Sequence, residues 1–512
     1  MHIRQRLSRR TLLSASVAGL AAPWVLRGAH AAATQGISES AWAELGRRVT
    51  GGVFRHNDAR HNDPRFLALT KPENLRYFNP PDRPDGPPDP DAPLAAVQPH
   101  GAKEVAAAIL WARDNNCPMA PRSGGHSYAG CSTMPGGLVI HGGAMRGVRY
   151  QPDWGLLEIG GGALNGDIFD TLKTGNRTIV HGRCPAVGIS AYLMGGGIGL
   201  GMREYGVGCD LVHSVELVLA NGSIVRASAS NEYKDLFWAV RGGGGGNLGY
   251  ATRWWLRTVP ADKLVAFNVT WRNGTPDIFK RLARALETSP EQMGAQMSIT
   301  ATKVNSPALN QITLIGQYRG PMVRLDGLLG KAFTDANEQE VLELPYWQAQ
   351  EFFDLGAVPN RYQETSLFAE SVSDALIDEA FSRMRNLPDT DARARARLTF
   401  FLTGGRINKV AQDDTAFVHR SSQWLINPIL DWPERNGNTG EHLVWQRDLH
   451  NTIAGMPGIK GSYQNFPDPE LLDRHAPAYW GANLARLSKV KHAVDPDGVF
   501  TPPRHQDIPQ TA

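Results

Sequence analysis

Arg122-Ser123-Gly124-Gly125-His126-Ser127-Tyr128-Ala129-Gly130 is the stretch around which the rest of the chain is read. Upstream, Ala102 to Asn115 places Val105, Ile109 and Leu110 at helical spacing, and Pro118 ends that element. The glycine-rich run therefore joins two predicted elements. Successive glycines let backbone N–H groups converge on an anion without Cβ obstruction, and Arg122 offers a guanidinium suited to a bidentate phosphate contact. A second wall of the same kind is Gly182-Arg183-Cys184-Pro185-Ala186-Val187-Gly188, then Gly195-Gly196-Gly197-Ile198-Gly199-Leu200-Gly201. A third is Asp235-Leu236-Phe237-Trp238-Ala239-Val240-Arg241, five glycines, then Asn247-Leu248-Gly249. One such cluster reads as turns and packing. Three in one region point to a large ligand that carries a pyrophosphate.

Gly244-x-Gly246-x-x-Gly249 has dinucleotide-fingerprint spacing but is followed by strand-like Tyr250 to Leu256 instead of a helix, which excludes a Rossmann site. Gly330-Lys331 lacks the following Ser or Thr of a phosphate loop, and neither H-E-x-x-H nor G-x-S-x-G occurs. Cys117, Cys131, Cys184 and Cys209 have no C-x-x-C pairing, so no metal centre is expected, and four cysteines in 512 residues do not make a disulfide scaffold.

Working outward, short apolar runs alternate with glycine clusters from Leu138 to about Arg226, with helix-like stretches only near Ile168 to Lys173 and Ser190 to Met194. The texture changes at Thr258-Val259-Pro260. Longer strand-like runs follow, Leu264 to Trp271, Ile312 to Tyr318 and Arg397 to Leu402, between helix-like segments Thr275 to Leu286, Val323 to Ala336 and Ser373 to Met384. The fold class is α+β, with a second domain in which helices cover an antiparallel sheet. From Tyr463 onward the chain is again rich in Gly, Asn and aromatics, and it ends in a helix-like stretch from Gly481 to Ala493. Before the first domain, Asn79 to Pro93 carries seven prolines and reads as an extended entry segment.

The formal net charge is +3, but Arg4, Arg6, Arg9, Arg10 and Arg27 precede Ala31 with no acid among them, leaving 48 basic against 50 acidic residues. That balance argues against a nucleic-acid partner. The arginines precede a 15-residue apolar run, Leu12 to Leu26, interrupted by Pro23 and followed by small-residue cleavage options at Ala29-His30-Ala31 or Ala31-Ala32-Ala33. This order is a signal peptide, too short to span a membrane, so no stable membrane anchor is expected. Ser8-Arg9-Arg10-Thr11-Leu12-Leu13 resembles the twin-arginine export signal, implying bacterial export of a folded, cofactor-loaded protein to the periplasm or beyond.

Together these motifs resemble the berberine bridge enzyme-like FAD-linked oxidases, of the vanillyl-alcohol oxidase or PCMH-type flavin fold, over roughly Pro93 to Pro509. The Asp235 to Asn247 stretch is close to a family signature, with Leu248 where Phe is usual, and Thr415-Ala416-Phe417-Val418-His419-Arg420 and Tyr479 to Leu487 extend the match. The resemblance implies a twin-arginine signal at 1–31, an N-terminal segment at 32–92, a two-subdomain FAD-binding domain at 93–259, a substrate domain at 260–460 and a berberine-bridge-type segment at 461–512 that returns to the FAD domain. It implies FAD bound through two covalent bonds, from His126 to the flavin 8α-methyl carbon and from Cys184 to flavin C6. A neutral imidazole and a thiolate are the nucleophiles such bonds need.

The resemblance further assigns Arg122, Ser123, Gly124, Gly125, Ser127, Val187, Gly188, Gly195, Gly196, Gly197, Gly199, Asn465 and Asn483 to the cofactor site. Tyr463, in Tyr463-Gln464-Asn465-Phe466, is the implied base, with Phe466 departing from the family's Y-x-N-Y, and Tyr128 lines the substrate side. A Tyr base with an ordinary pKa near 10 needs a neighbouring cation or donor. Ile198 stands where several relatives carry a second aromatic. Val187 matches the Val that accompanies oxygen access, which implies molecular oxygen as acceptor. The leading expectation is oxidation of an alcohol or sugar hemiacetal with release of H2O2. Thirteen Trp, including Trp271, Trp347, Trp424, Trp432 and Trp445, are compatible with an aromatic groove for an oligosaccharide. Two alternatives stand beside it: a tailoring oxidase of an aromatic natural product or alkaloid, and a flavin- or small-molecule-binding resistance protein with little turnover.

Overall fold

The computed structural model describes residues 36–56, 64–79, 89–302, 309–354, 360–390, 393–433 and 439–510. The signal-like segment and the prolines from Pro80 to Pro88 lie outside the described residues.

The first layer is a four-stranded sheet ordered Val53–Arg55, Ala95–Val97, Leu138–His141, Met119–Arg122. The last three strands are parallel. The crossover helix Ala102–Asp114 buries Val105, Ala108, Ile109 and Ala112, its N-terminal turn holding Glu104, which accepts from the His100 amide at 3.0 Å. Burying such a Val or Ile contributes about 1.5–3 kcal/mol. Asn116, with φ of 50°, and then Pro118 turn the chain into the strand Met119–Arg122. The glycine run therefore leaves the carboxyl end of a parallel strand, where ligands bind in open α/β sheets. Because Val53–Arg55 pairs with Ala95–Val97, the segment before residue 93 is built into this layer.

A second, antiparallel sheet runs Val148–Gln151, Leu156–Gly160, Tyr250–Arg257, Val212–Val218, Ile224–Ser228. Tyr250–Arg257 is its central strand, as the sequence read it. Helices Asn165–Leu172, Ile189–Met194 and Lys234–Ala239 pack with this sheet in one core.

The third sheet has nine antiparallel strands, with Glu338–Leu344, Leu264–Trp271, Leu309–Tyr318, Met293–Thr302, Arg395–Leu402 and Trp424–Trp432 in that order at its heart. Helices Pro276–Glu287, Asp374–Arg385 and Gly440–Ala454 share a core with one face. Alternation sets the two faces: Leu398, Phe400 and Leu402 belong to that core, while Arg397, Thr399 and Phe401 turn the other way. The expected helix Val323 to Ala336 is shorter, Met322–Leu329 followed by a single tighter turn, Gly330–Phe333. At the far end, helix Leu484–Val494 returns to the first two layers: buried Lys491 donates to the Asn247 carbonyl at 2.8 Å and pairs with Asp495. Among the described residues no helix is long and apolar enough to cross a membrane, and no cluster of His, Cys, Asp or Glu could hold a metal ion. All four cysteines are free.

Candidate active site

Between the first two layers and the open face of the large sheet lies a cavity of about 320 Å³, within the range of small-molecule sites. Its loop wall consists of Arg122 to Tyr128, Gly182 to Cys184, Val187, Gly188 and Gly199, with Gly245 and Gly246 from the third cluster. Two loops meet back to back. A Cβ on Gly124 would stand 2.6 Å from the Ala186 carbonyl oxygen and from the Gly188 nitrogen, and one on Gly188 would stand 2.3 Å from the Gly124 nitrogen. No side chain fits at either position without parting the backbones. The Gly161 carbonyl clamps the pair, accepting from Ser123 Oγ at 3.1 Å and Ser190 Oγ at 2.6 Å.

His126 lines the cavity, and its Nε2 is buried without a partner. Burial lowers its pKa, so the ring is neutral near pH 7 and has a nucleophilic nitrogen. Cys184 lines the same cavity; burial pushes its thiol up while Arg183 and Arg397 pull it down. Asn165, fully buried, holds this loop by donating to the Cys184 carbonyl at 3.1 Å.

Tyr463 is buried, yet it lines the cavity. Its phenol oxygen accepts from the Gly197 amide at 3.0 Å and from Asn465 Nδ2 at 3.2 Å. Burial pushes this phenol up, and those two donors act against it. Of the cation or donor that the sequence calls for beside this phenol, the site supplies two N–H donors. A Cβ on Gly195 would fall 2.0 Å from Asn465 Oδ1, so glycine at 195 is what admits the Asn465 side chain. Gly195, Gly196 and Gly197 thus stand behind the wall: a Cβ on Gly196 would meet the Phe417 ring at 2.6 Å, and the Gly197 amide serves Tyr463.

Other sequence expectations are displaced. The Arg122 guanidinium donates to the Thr70 and Lys71 carbonyls and is held at about 10 by burial, so the bidentate phosphate contact is not what this geometry provides. Asn483 lies apart from the cavity, donating to the Gln412 and Thr415 carbonyls at 2.9 and 3.1 Å, and so ties the C-terminal return to the 412–415 loop. Trp271, Trp424 and Trp432 are buried in the core beneath the sheet, and Trp347 and Trp445 pack against cores. The aromatic lining is Tyr128, Tyr192, Tyr250, Phe401, Tyr463 and Phe466 instead.

Two features carried no signal in sequence. The sheet wall places Gln296, Glu364, Arg397, Thr399, Asn427 and Ile429 in the cavity from four strands. Glu364 is buried with Oε1 unpartnered, and its pKa is raised well above the carboxylate range by that burial. The second feature is a strap, Lys71 to Phe78. Fully buried Asn74 donates to the Tyr128 and Tyr362 carbonyls and accepts from the Tyr362 amide at 2.9 Å. Tyr128 stacks on Tyr362 at 4.8 Å, and the Glu73 amide reaches the Gly125 carbonyl. The strap thereby joins the glycine loop to the large sheet.

The sequence family described as "FAD binding domain" matches residues 93–228, and that described as "Berberine and berberine like" matches 462–505. YgaK, an FAD-linked oxidoreductase of Bacillus subtilis, is 30% identical over 414 residues, covering 77% of this chain and 86% of that one. The chain belongs to the berberine bridge enzyme-like FAD-linked oxidoreductases. A carbohydrate oxidase of Microdochium nivale is 30% identical over 448 residues, 81% of this chain and 88% of that one. The solved structure of Physcomitrella patens BBE-like 1 matches with a TM-score of 0.77 at 25% identity, covering 91% of this chain and 99% of that one. The cavity therefore belongs to an FAD-linked oxidoreductase. The cavity residues fit the flavin: two touching glycine loops leave the main chain bare at the wall, and His126, a neutral imidazole with Nε2 unpartnered, lines the same cavity.

Proposed function

We propose that the chain is an exported oxidase of an alcohol or sugar hemiacetal carbon, with FAD attached through both His126 and Cys184. The observation that carries this reading is the meeting of a neutral imidazole, a free cysteine and a donor-flanked phenol in one cavity. When bound, the flavin supplies a two-electron acceptor for the hydride of a carbon bearing a hydroxyl, and O2 takes up the electron pair with two protons to give H2O2. The protein's part is positioning and proton transfer. The Gly124–Gly188 contact fixes the spacing of the two tether loops, and the Gly161 carbonyl keeps it. Tyr463 takes the substrate hydroxyl proton at its phenol oxygen, and the Gly197 and Asn465 donors stabilise the negative charge this requires. Tyr128, braced by Asn74 and stacked on Tyr362, walls the substrate end.

The carbohydrate oxidase among the relatives supports a sugar substrate, and Val187 at the cavity supports oxygen as acceptor. The arginine pair at Arg9 and Arg10 supports export by the twin-arginine machinery, to the periplasm or medium. The test is anaerobic bleaching of the purified yellow protein by a panel of aldoses, alcohols and phenolic amines, followed by peroxide release in air. Bleaching by an aldose with stoichiometric peroxide is the expected result. Bleaching only by phenolic or amine substrates would move the assignment to natural-product tailoring, and no bleaching by any would favour a binding protein.

A further inference from the structure

Four charged side chains line the cavity, Arg122, Arg183, Arg397 and Glu364. They are unequally placed. Arg122 is anchored to the Thr70 and Lys71 carbonyls at the strand end. Arg183, beside Cys184, reaches across to the large sheet and donates to Gln296 Oε1 at 2.9 Å. Arg397 sits on the sheet itself. Its neighbour across one strand pairing is Ile429, and the neighbour of Ile429 on the other side is Glu364, so Arg397, Ile429 and Glu364 form one row on one face. Two inter-strand spacings separate the ends of that row, about 10 Å.

Each of these three groups keeps a buried polar atom without a partner: Arg183 Nη1, Arg397 Nε and Glu364 Oε1. A buried donor left unpaired costs about 1–3 kcal/mol, more when charged; these atoms lie behind the cavity surface, and it is the remaining edges of the half-buried Arg183 and Arg397 guanidinium groups that line it. Three arginines and one glutamate line the cavity, and Glu73 and Asp354 act on its Cys184 end from behind the lining. Glu364 is held toward its neutral form by burial, and Arg397 reinforces the burial that brings Arg183 to about 10. His126 is neutral, and the charged side chains lining the cavity include no lysine or aspartate. The guanidinium groups of Arg183 and Arg397 are donors on the cavity wall, and the Glu364 carboxyl stands at the other end of the Arg397 row. Two guanidinium groups on the wall of a cavity lined by a single carboxyl fit an oxyanion, which guanidinium forks bind through paired N–H groups.

We propose that Arg183 and Arg397, with Glu364, form a subsite for an anionic group on the substrate, so that the substrate is an acidic aldose carrying a carboxylate or phosphate ester away from the oxidised carbon. This rests on the sugar-oxidase reading of the same cavity. It deepens that reading by naming the substrate's charge.

The test compares D-glucose, D-glucuronate and D-glucose 6-phosphate, which differ at C6, on the purified flavin-loaded protein. Binding is read as perturbation of the flavin absorption spectrum under anaerobic conditions, and turnover as peroxide release. At least one anionic sugar should bind about 10-fold or more tightly than glucose, the scale of one charge-assisted contact. Whichever of the two binds tighter identifies the carboxylate or the phosphate as the group recognised. Arg397→Gln and Arg183→Gln should each remove most of that advantage while the protein keeps its flavin, and Arg397→Lys should retain part of it. Equal binding of all three sugars, or an advantage that survives both Gln variants, would overturn the subsite. Should no sugar bleach the flavin, the oxidation reading falls, while the order of binding still decides the subsite.

Discussion

The two walls of the cavity are built on opposite principles. The loop wall is made of backbone: Gly124 and Gly188 touch, Gly195 admits Asn465, and Gly197 offers its amide to Tyr463. The sheet wall is made of side chains: Arg397, Thr399 and Phe401 line the cavity while their alternate neighbours Leu398 and Phe400 are held in the core below. A backbone wall tolerates almost no substitution and fixes what every ligand of the site has in common. A side-chain wall exchanges residues without disturbing the sheet, and it sets which substrate is accepted. The proposed function sets the flavin against the first wall and leaves the choice of substrate to the second, with Arg183 reaching across from the loops to join it.

The sharpest way to break that division is to exchange the expected effects. Gly124→Val forces a Cβ to 2.6 Å from two backbone atoms; the expected outcome is protein without flavin, read from the ratio of flavin to protein absorbance. Asn427→Ala on the sheet wall should keep full flavin content and change KM. Flavin retained in the first variant or lost in the second would erase the distinction.

Tyr463→Phe comes next in size. Removing the phenol should slow anaerobic flavin reduction by about 10²-fold or more, with flavin content unchanged, as measured by stopped flow. A near-normal rate would take the proton-accepting role from the loop-supported site. Asn74→Ala should do less, because it loosens the strap that joins the walls without touching the reacting groups. It leaves the Tyr128 and Tyr362 carbonyls and the Tyr362 amide unpaired, a loss of about 1–3 kcal/mol seen as a lower melting temperature.

The smallest effect is electrostatic. Burial raises the Glu364 pKa above its unfolded value, so its proton is held more tightly in the folded state. Its stabilising contribution is present below the unfolded pKa near 4.5 and is lost as pH rises through the raised folded value. Glu364→Gln should therefore leave the melting temperature at pH 5 nearly unchanged and raise it at pH 9. A shift equal at both pH values would mean that Glu364 is ionised in the folded protein.

The loop wall was legible because its signal is local. Glycine clusters, His126 and Cys184 sit within runs of a few residues, and close backbone approach needs glycine wherever it occurs. The strands Leu264–Trp271 and Tyr250–Arg257 were legible for the same reason, since period-two patterning is written in adjacent residues. The sheet wall was not, because Gln296, Glu364, Arg397 and Asn427 come from four strands and become neighbours only through register. Asn74 lay in an unpatterned stretch before the first domain, where nothing in the sequence signals that it bonds residue 362. Asn483 was misplaced since a motif shows that a residue matters, not whether it meets the ligand or the opposite side of the loop. The tryptophans were misplaced because size and apolarity suit a core as well as a groove.

The most direct test of the central claim is to denature the purified protein in acid, separate pellet from supernatant, and map flavin-bearing peptides by mass. The account predicts that all yellow colour stays with the pellet, and that one flavin cross-links the peptides containing His126 and Cys184. Flavin released to the supernatant, or attached to a peptide containing neither residue, would contradict it.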